Sequence, residues 1–148
     1  MVKERSAEQT PDPRAGTVTG PGRVLVALYA LFAVAATSRA VYQIATKFEE
    51  APLAYVLSAF AALVYVVATV ALSRAGSTPR SIALVAVVIE FIGVLVIGTI
   101  TATGVLDFPD DTVWSTYGRG YLFIPLFLPV LGLLWLRRVG ALGTRAGS

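Results

Sequence analysis

Four long apolar stretches constrain this chain more than any other feature: Val24–Thr46, Pro52–Leu72, Ile82–Gly104 and Tyr121–Leu136. An α-helix rises about 1.5 Å per residue, so about 20 residues cross the roughly 30 Å hydrocarbon core of a bilayer. The stretches therefore predict an all-α fold: a four-transmembrane-helix antiparallel bundle. The last of them, "YLFIPLFLPVLGLLWL", is short, and snorkelling of Arg137 and Arg138 or a helix extending back through Gly118 makes up its length.

Composition agrees with that class. Hydrophobic residues make up 56% and charged residues 14% of 148 residues, with a mean hydropathy of +0.75. A soluble domain of this size needs more charge on its surface. Residues 1–22 mix charge, Pro, Gly and Thr without an apolar period, which predicts a disordered cytoplasmic tail. The membrane domain then covers 23–138, and 139–148 form a short cytoplasmic tail. "AVA" at Ala33–Ala35 resembles a signal-cleavage site, but the preceding polar region is long and apolar character continues to Ile44, so the first span is expected to stay.

Basic residues set the expected orientation. With a cytoplasmic N-terminus, the inner side holds Lys3, Arg5, Arg14, Arg23, Arg74, Arg80, Arg137, Arg138 and Arg145. The outer side holds Lys47 and Arg119, with Arg39 near the end of the first span. Both termini are thus expected inside, and Glu49, Glu50, Asp107, Asp110 and Asp111 outside. The net charge of +3 then faces anionic lipid headgroups, so the expected partner is the lipid bilayer and no nucleic acid. The excess of Arg over Lys, beside abundant Ala, Val and Gly, reads as a GC-rich bacterial genome.

The chain has neither Cys nor His. That removes disulfides, thiol chemistry, the usual zinc sites and His-based catalysis, and no metal or cofactor is expected. Attention falls on polar residues that are expensive to keep in a membrane. Glu90, in "VVIEFIGVL", lies about 12 Å into the third span. Such a carboxyl is either a proton-coupling or cation-binding group or interhelical glue. Tyr65 of the second span reaches the same depth, which predicts a Tyr65–Glu90 hydrogen bond. Arg39 sits about 22 Å up the first span, with Tyr42, Gln43 and Thr46 on the same stripe. It either snorkels to headgroups or pairs with the outer acids, a lipid or a substrate.

Ala54, Ser58, Ala61 and Ala62 form a small-residue ladder suited to close helix packing, within the bundle or between copies. Gly93 and Gly98 serve the third span likewise. Pro125 and Pro129, followed by Gly132, are expected to kink the fourth helix. The connector "DFPDDTVWSTYGRGY" reads first as an anchored outer loop. Asp110 or Asp111 caps a short helix over "TVWSTY" that Gly118 ends, and Trp114, Tyr117 and Tyr121 sit at the headgroups, mirrored by Trp135. Asp107, Asp110, Asp111, Trp114 and Arg119 are the candidates for a binding loop instead. A catalytic or metal-holding loop is the remaining reading, without the spacing of a calcium-loop motif.

From Arg23 to Arg138 the chain resembles the small four-helix integral membrane proteins of unknown function found in actinobacteria. The resemblance is carried by "YQIATKFEEAPLAYVLSA", "VVIEFIGVL" and "VWSTYGRGYLFIPLFLPVLGLLWLRR". It implies a fold and no activity. Small multidrug transporters also have four helices and one membrane carboxylate, but theirs lies in the first helix, where this chain has none. DoxX-like four-helix proteins resemble it in length and topology without a shared motif. The expectation is a non-enzymatic component or accessory subunit of a bacterial plasma membrane, packing with itself as a homo-oligomer or with a larger membrane protein. A small oligomeric transporter or flippase using Glu90 is the alternative, and an outer-face enzyme on the acidic loop ranks third.

Overall fold

A computed structural model of the chain describes residues 20–145 and 147. Residues 1–19, most of the expected N-terminal tail and with them Lys3, Arg5 and Arg14, lie outside the described residues. Four helices carry the fold: α1 (Pro21–Lys47), α2 (Pro52–Leu72), α3 (Ser77–Ala102) and α4 (Ile124–Arg145). All four are long and apolar enough to cross a membrane, which supports a multi-pass membrane protein. Among the described residues there is no strand.

Local chemistry explains most of the helix ends. Pro21 and Pro52 open α1 and α2, where a missing N–H removes nothing the helix needs. Gly76, at φ 124°, turns the chain into α3 in a conformation that other residues rarely adopt. The helices overrun the apolar stretches. α3 starts at Ser77 rather than near Ile82, and α4 starts at Ile124 and runs through Arg145 instead of covering Tyr121–Leu136. Apolar side chains mark what lies in hydrocarbon, whereas backbone hydrogen bonding continues into the polar flanks. The short fourth stretch is therefore lengthened at its C-terminal side and not through Gly118.

α1 packs most extensively on α2, then α2 on α3 and α3 on α4, while α1 and α4 touch lightly. The heaviest contact joins the faces richest in alanine. α1 buries Ala33, Ala36 and Ala40, and α2 buries Ala54, Ser58, Ala61 and Ala62. Lipid tails are as apolar as side chains, so helices in a bilayer gain from close van der Waals approach, and small residues permit it. The ladder on α2 thus serves the intramolecular seam. Gly132 of α4 lies against Val87 of α3, and Gly140 against Arg80, so the two helices run in opposite directions. Large apolar side chains on all four helices, among them Leu31, Leu63, Val85 and Leu134, point away from the bundle.

The 103–123 connector departs from the expected surface loop. It tucks between the helices and buries Thr112, Val113, Trp114 and Ser115. Trp114 lies against Gly93, about 14 Å down α3 from its loop end. A Cβ at Gly93 would come within 2.5 Å of the Trp114 ring, and one at Gly98 within 2.5 Å of the Tyr117 ring. Both glycines are notches for the connector's aromatic rings. Trp114 is therefore not a headgroup anchor, because a ring that fills a notch on a neighbouring helix gains more contacts than one at the surface.

Irregular backbone at this depth must have its polar groups satisfied by protein. The loop's own hydroxyls do this. Ser115 Oγ accepts from the Thr112 amide at 2.9 Å, Thr112 Oγ1 from the Trp114 amide at 3.1 Å, and Thr101 Oγ1 of α3 from the Thr116 amide at 2.7 Å. The helix expected over "TVWSTY" does not form. A 3₁₀ segment, Ser115–Tyr121, takes its place, with left-handed backbone at Thr116, Tyr117 and Gly118 and no side-chain cap from Asp110 or Asp111.

Candidate functional site

The polar residues of the bundle gather in two tiers on the side of the connector. The deeper tier centres on Glu90, which is fully buried. Tyr29 of α1 donates a 2.7 Å hydrogen bond to Glu90 Oε2, and Glu90 Oε1 has no hydrogen-bond partner among the described residues. The Tyr65 hydroxyl also faces the carboxyl as a second, weaker hydrogen-bonding partner, and the bond with full hydrogen-bond geometry is that of Tyr29. The Tyr65 hydroxyl also accepts from Trp114 Nε1 at 3.3 Å. The expected Tyr65–Glu90 contact is thus present but secondary: Tyr29 makes the short bond to Glu90, and Tyr65 faces the same carboxyl while also fastening the connector.

α4 closes the deep tier from its own side. A Cβ at Gly132 would lie 3.1 Å from the Tyr29 hydroxyl, so the glycine lets α4 approach the Tyr29–Glu90 pair. Pro129, one turn away, is buried inside the helix and leaves the Pro125 carbonyl without its helical donor. Pro125 is a different case. It falls in the first turn of α4, where proline fits a helix start and creates no kink. Its ring packs against Gly118 of the connector.

The upper tier centres on Asp110. Its Oδ2 accepts from Gln43 Nε2 at 3.0 Å and from the Tyr55 hydroxyl at 3.2 Å. Its Oδ1 accepts from the Asp111 amide at 2.9 Å and stands 3.7 Å from Arg39 Nη2. Arg39 also donates to the Tyr121 hydroxyl at 2.6 Å and to the Asp111 carbonyl at 3.0 Å. Arg39 and Gln43 lie four residues apart, on one face of α1, and so reach the same carboxylate. Of the two roles open to Arg39, the structure shows the ion pair, with Asp110 of the connector.

Phe32 joins the tiers, with its ring centroid 5.6 Å from that of Tyr65 and 5.9 Å from that of Tyr121. The other candidates stand apart. Asp107 is exposed, and Arg119 is exposed at the rim of the upper tier. Among the described residues, Asp107, Asp110 and Asp111 do not gather into a three-carboxylate cluster.

Tyr29 and Tyr55 carry hydrogen bonds of the two tiers that the sequence reading missed. A signal for Tyr29 existed: it lies about 8 Å up α1, close to the depth of Glu90, and shares a helical face with Ala33, Ala36, Ala40 and Gln43. Tyr55 opens α2 level with the acids of the connector. Chemically the arrangement offers a sealed carboxyl with one open oxygen below and a charged, partly exposed cluster above. Comparison with family models, curated proteins and solved structures finds no match.

Proposed function

We propose that this chain is a non-enzymatic, multi-pass component of a bacterial plasma membrane, of the small four-helix actinobacterial kind, that packs with itself or with another membrane protein. Both termini face the cytoplasm, a reading supported by the distribution of basic residues. The observation that carries the reading is the employment of the connector's polar groups. Asp110 ties Arg39, Gln43 and Tyr55 together, and Trp114 locks into the Gly93 notch, so the loop is a rigid cap on the bundle. A stiff cap above apolar outer faces suits a packing subunit.

The chain contains no cysteine, which makes the orientation directly testable. Asp107→Cys should react with a membrane-impermeant maleimide in intact cells, and Thr144→Cys only after permeabilisation. The reverse pattern would refute the orientation. Purification in mild detergent followed by native mass spectrometry should show a stoichiometric partner or a homo-oligomer. A lone monomer would refute the packing role.

One observation favours a second reading, a small transporter or flippase that works through Glu90: the unpartnered Oε1 of a fully buried carboxyl. Such a protein needs its carboxyl to exchange a proton or cation. Glu90→Gln should then abolish dye-detected proton movement in vesicles while thermal stability is kept. Equal proton movement by the wild type and the variant would sink it.

A further inference from the structure

The upper tier borders a concave polar cavity of about 390 Å³, lined by Arg39, Asp110, Asp111, Arg119 and Tyr121. That volume falls within the roughly 300 to 1,000 Å³ typical of small-ligand sites. Part of the wall is fixed: Arg39 is held by Tyr121, Asp110 and the Asp111 carbonyl, and Asp110 by Gln43 and Tyr55. Two charged groups of the lining are left over. Among the described residues the Arg119 guanidinium and the Asp111 carboxylate make no hydrogen bond or ion pair; Asp111 is engaged only through its backbone. A free cation and a free anion in one cavity complement a ligand that carries both charges.

The chain beside the cavity is built for hydrocarbon. Leu122 and Phe123 follow Tyr121 directly and are 83% and 41% exposed. Both have left-handed backbone, with φ of 56° and 59°, which residues with side chains seldom adopt. Apolar side chains thus emerge next to a charged cavity, at one end of four helices long enough to cross a membrane. An amphiphile needs this arrangement: charges in the cavity, acyl chains along the adjoining apolar surface.

We infer that this cavity binds the headgroup of a zwitterionic phospholipid bearing a phosphate and a primary ammonium. Arg119, with Arg39 behind it, takes the phosphate, since a guanidinium matches phosphate oxygens with several donors. Asp111 takes the ammonium. A choline headgroup offers Asp111 no N–H, and a glycerol headgroup offers it no cation, so ethanolamine is selected over both. The inference rests on the multi-pass membrane reading and can fail without it, because headgroup selectivity is measured on protein already purified from membranes.

The test is native mass spectrometry of the full chain in detergent with equal amounts of phosphatidylethanolamine, phosphatidylcholine and phosphatidylglycerol. Ethanolamine lipid should be retained over the other two by about threefold to tenfold, the net worth of one hydrogen bond at a solvent-exposed site. Arg119→Gln should weaken all three lipids. Asp111→Asn should remove the preference for ethanolamine over glycerol while phosphate binding persists. Both side chains are unpaired, so unchanged melting temperatures are expected to accompany these effects. Equal retention of the three lipids by the wild type, or an unchanged ethanolamine-to-glycerol ratio in Asp111→Asn, would overturn the inference. Binding of free phosphoethanolamine without any lipid adduct would overturn it too, in favour of a soluble zwitterion.

Discussion

Glu90 and Asp110 are both carboxyl groups held by tyrosines, and their surroundings differ in an unexpected direction. Asp110 keeps a side-chain exposure of 40%, yet it accepts three hydrogen bonds and pairs with Arg39. Glu90 is fully buried and has one hydrogen bond, with its second oxygen unpartnered. Burial ordinarily makes satisfaction more stringent. The difference separates two jobs. Asp110 ties the connector to α1 and α2, whereas Glu90 retains bonding capacity inside the bundle. Fastening sits at the rim, and unused bonding capacity sits at depth.

The contrast depends on the connector staying wedged, so the notch at Gly93 should give the largest effect. Gly93→Val puts a branched side chain where Trp114 lies and should cost about 3 kcal/mol by overpacking. Detergent-solubilised protein should show a lowered melting temperature and a red-shifted Trp114 emission. Unchanged emission would mean that Trp114 does not occupy the notch. Asp110→Ala comes next. It leaves Arg39, Gln43 and Tyr55 without their common acceptor and should cost about 2 kcal/mol, moderated by solvent at a partly exposed site. Denaturant unfolding would measure it, and a loss no larger than that of Glu90→Gln would reverse the contrast.

A double-mutant cycle sharpens the deep tier. Tyr29→Phe and Glu90→Gln should couple by about 1 kcal/mol, in line with single polar contacts between membrane helices. Tyr65→Phe with Glu90→Gln should couple less, because the Tyr65 hydroxyl serves Trp114. Equal coupling in the two cycles would make Tyr65 as strong a partner of Glu90 as Tyr29. Asp107→Asn should be smallest, within about 0.5 kcal/mol in the same assay, since this exposed acid touches nothing that orients the loop. A loss matching that of Asp110→Ala would show the loop acids to be equivalent.

The contacts of Trp114 and Arg39 show where sequence reasoning stops. Trp114 reads as a headgroup anchor because aromatic rings near span ends usually are. Its burial requires a glycine on α3, and nothing near either residue in the chain announces the other. Arg39 could snorkel or pair, and the choice depended on where the connector placed Asp110. Tyr29 was within reach of the depth arithmetic that located Tyr65 and Arg39, since it lies about 8 Å up α1, close to the depth of Glu90. Among the prolines, position in the helix decided the outcome: the true start at Ile124 turned Pro125 into an initiator and left Pro129 inside.

The sequence alone determined the number of membrane-length helices and the place of Glu90 inside the third of them. Hydrocarbon thickness imposes a length on apolar runs, and helical rise converts position into depth. Only the tertiary structure decided the path of the connector, the partner of Glu90 and the cluster at Asp110. Those contacts join residues far apart in the chain, and they depend on side chains filling particular notches, which no local pattern encodes.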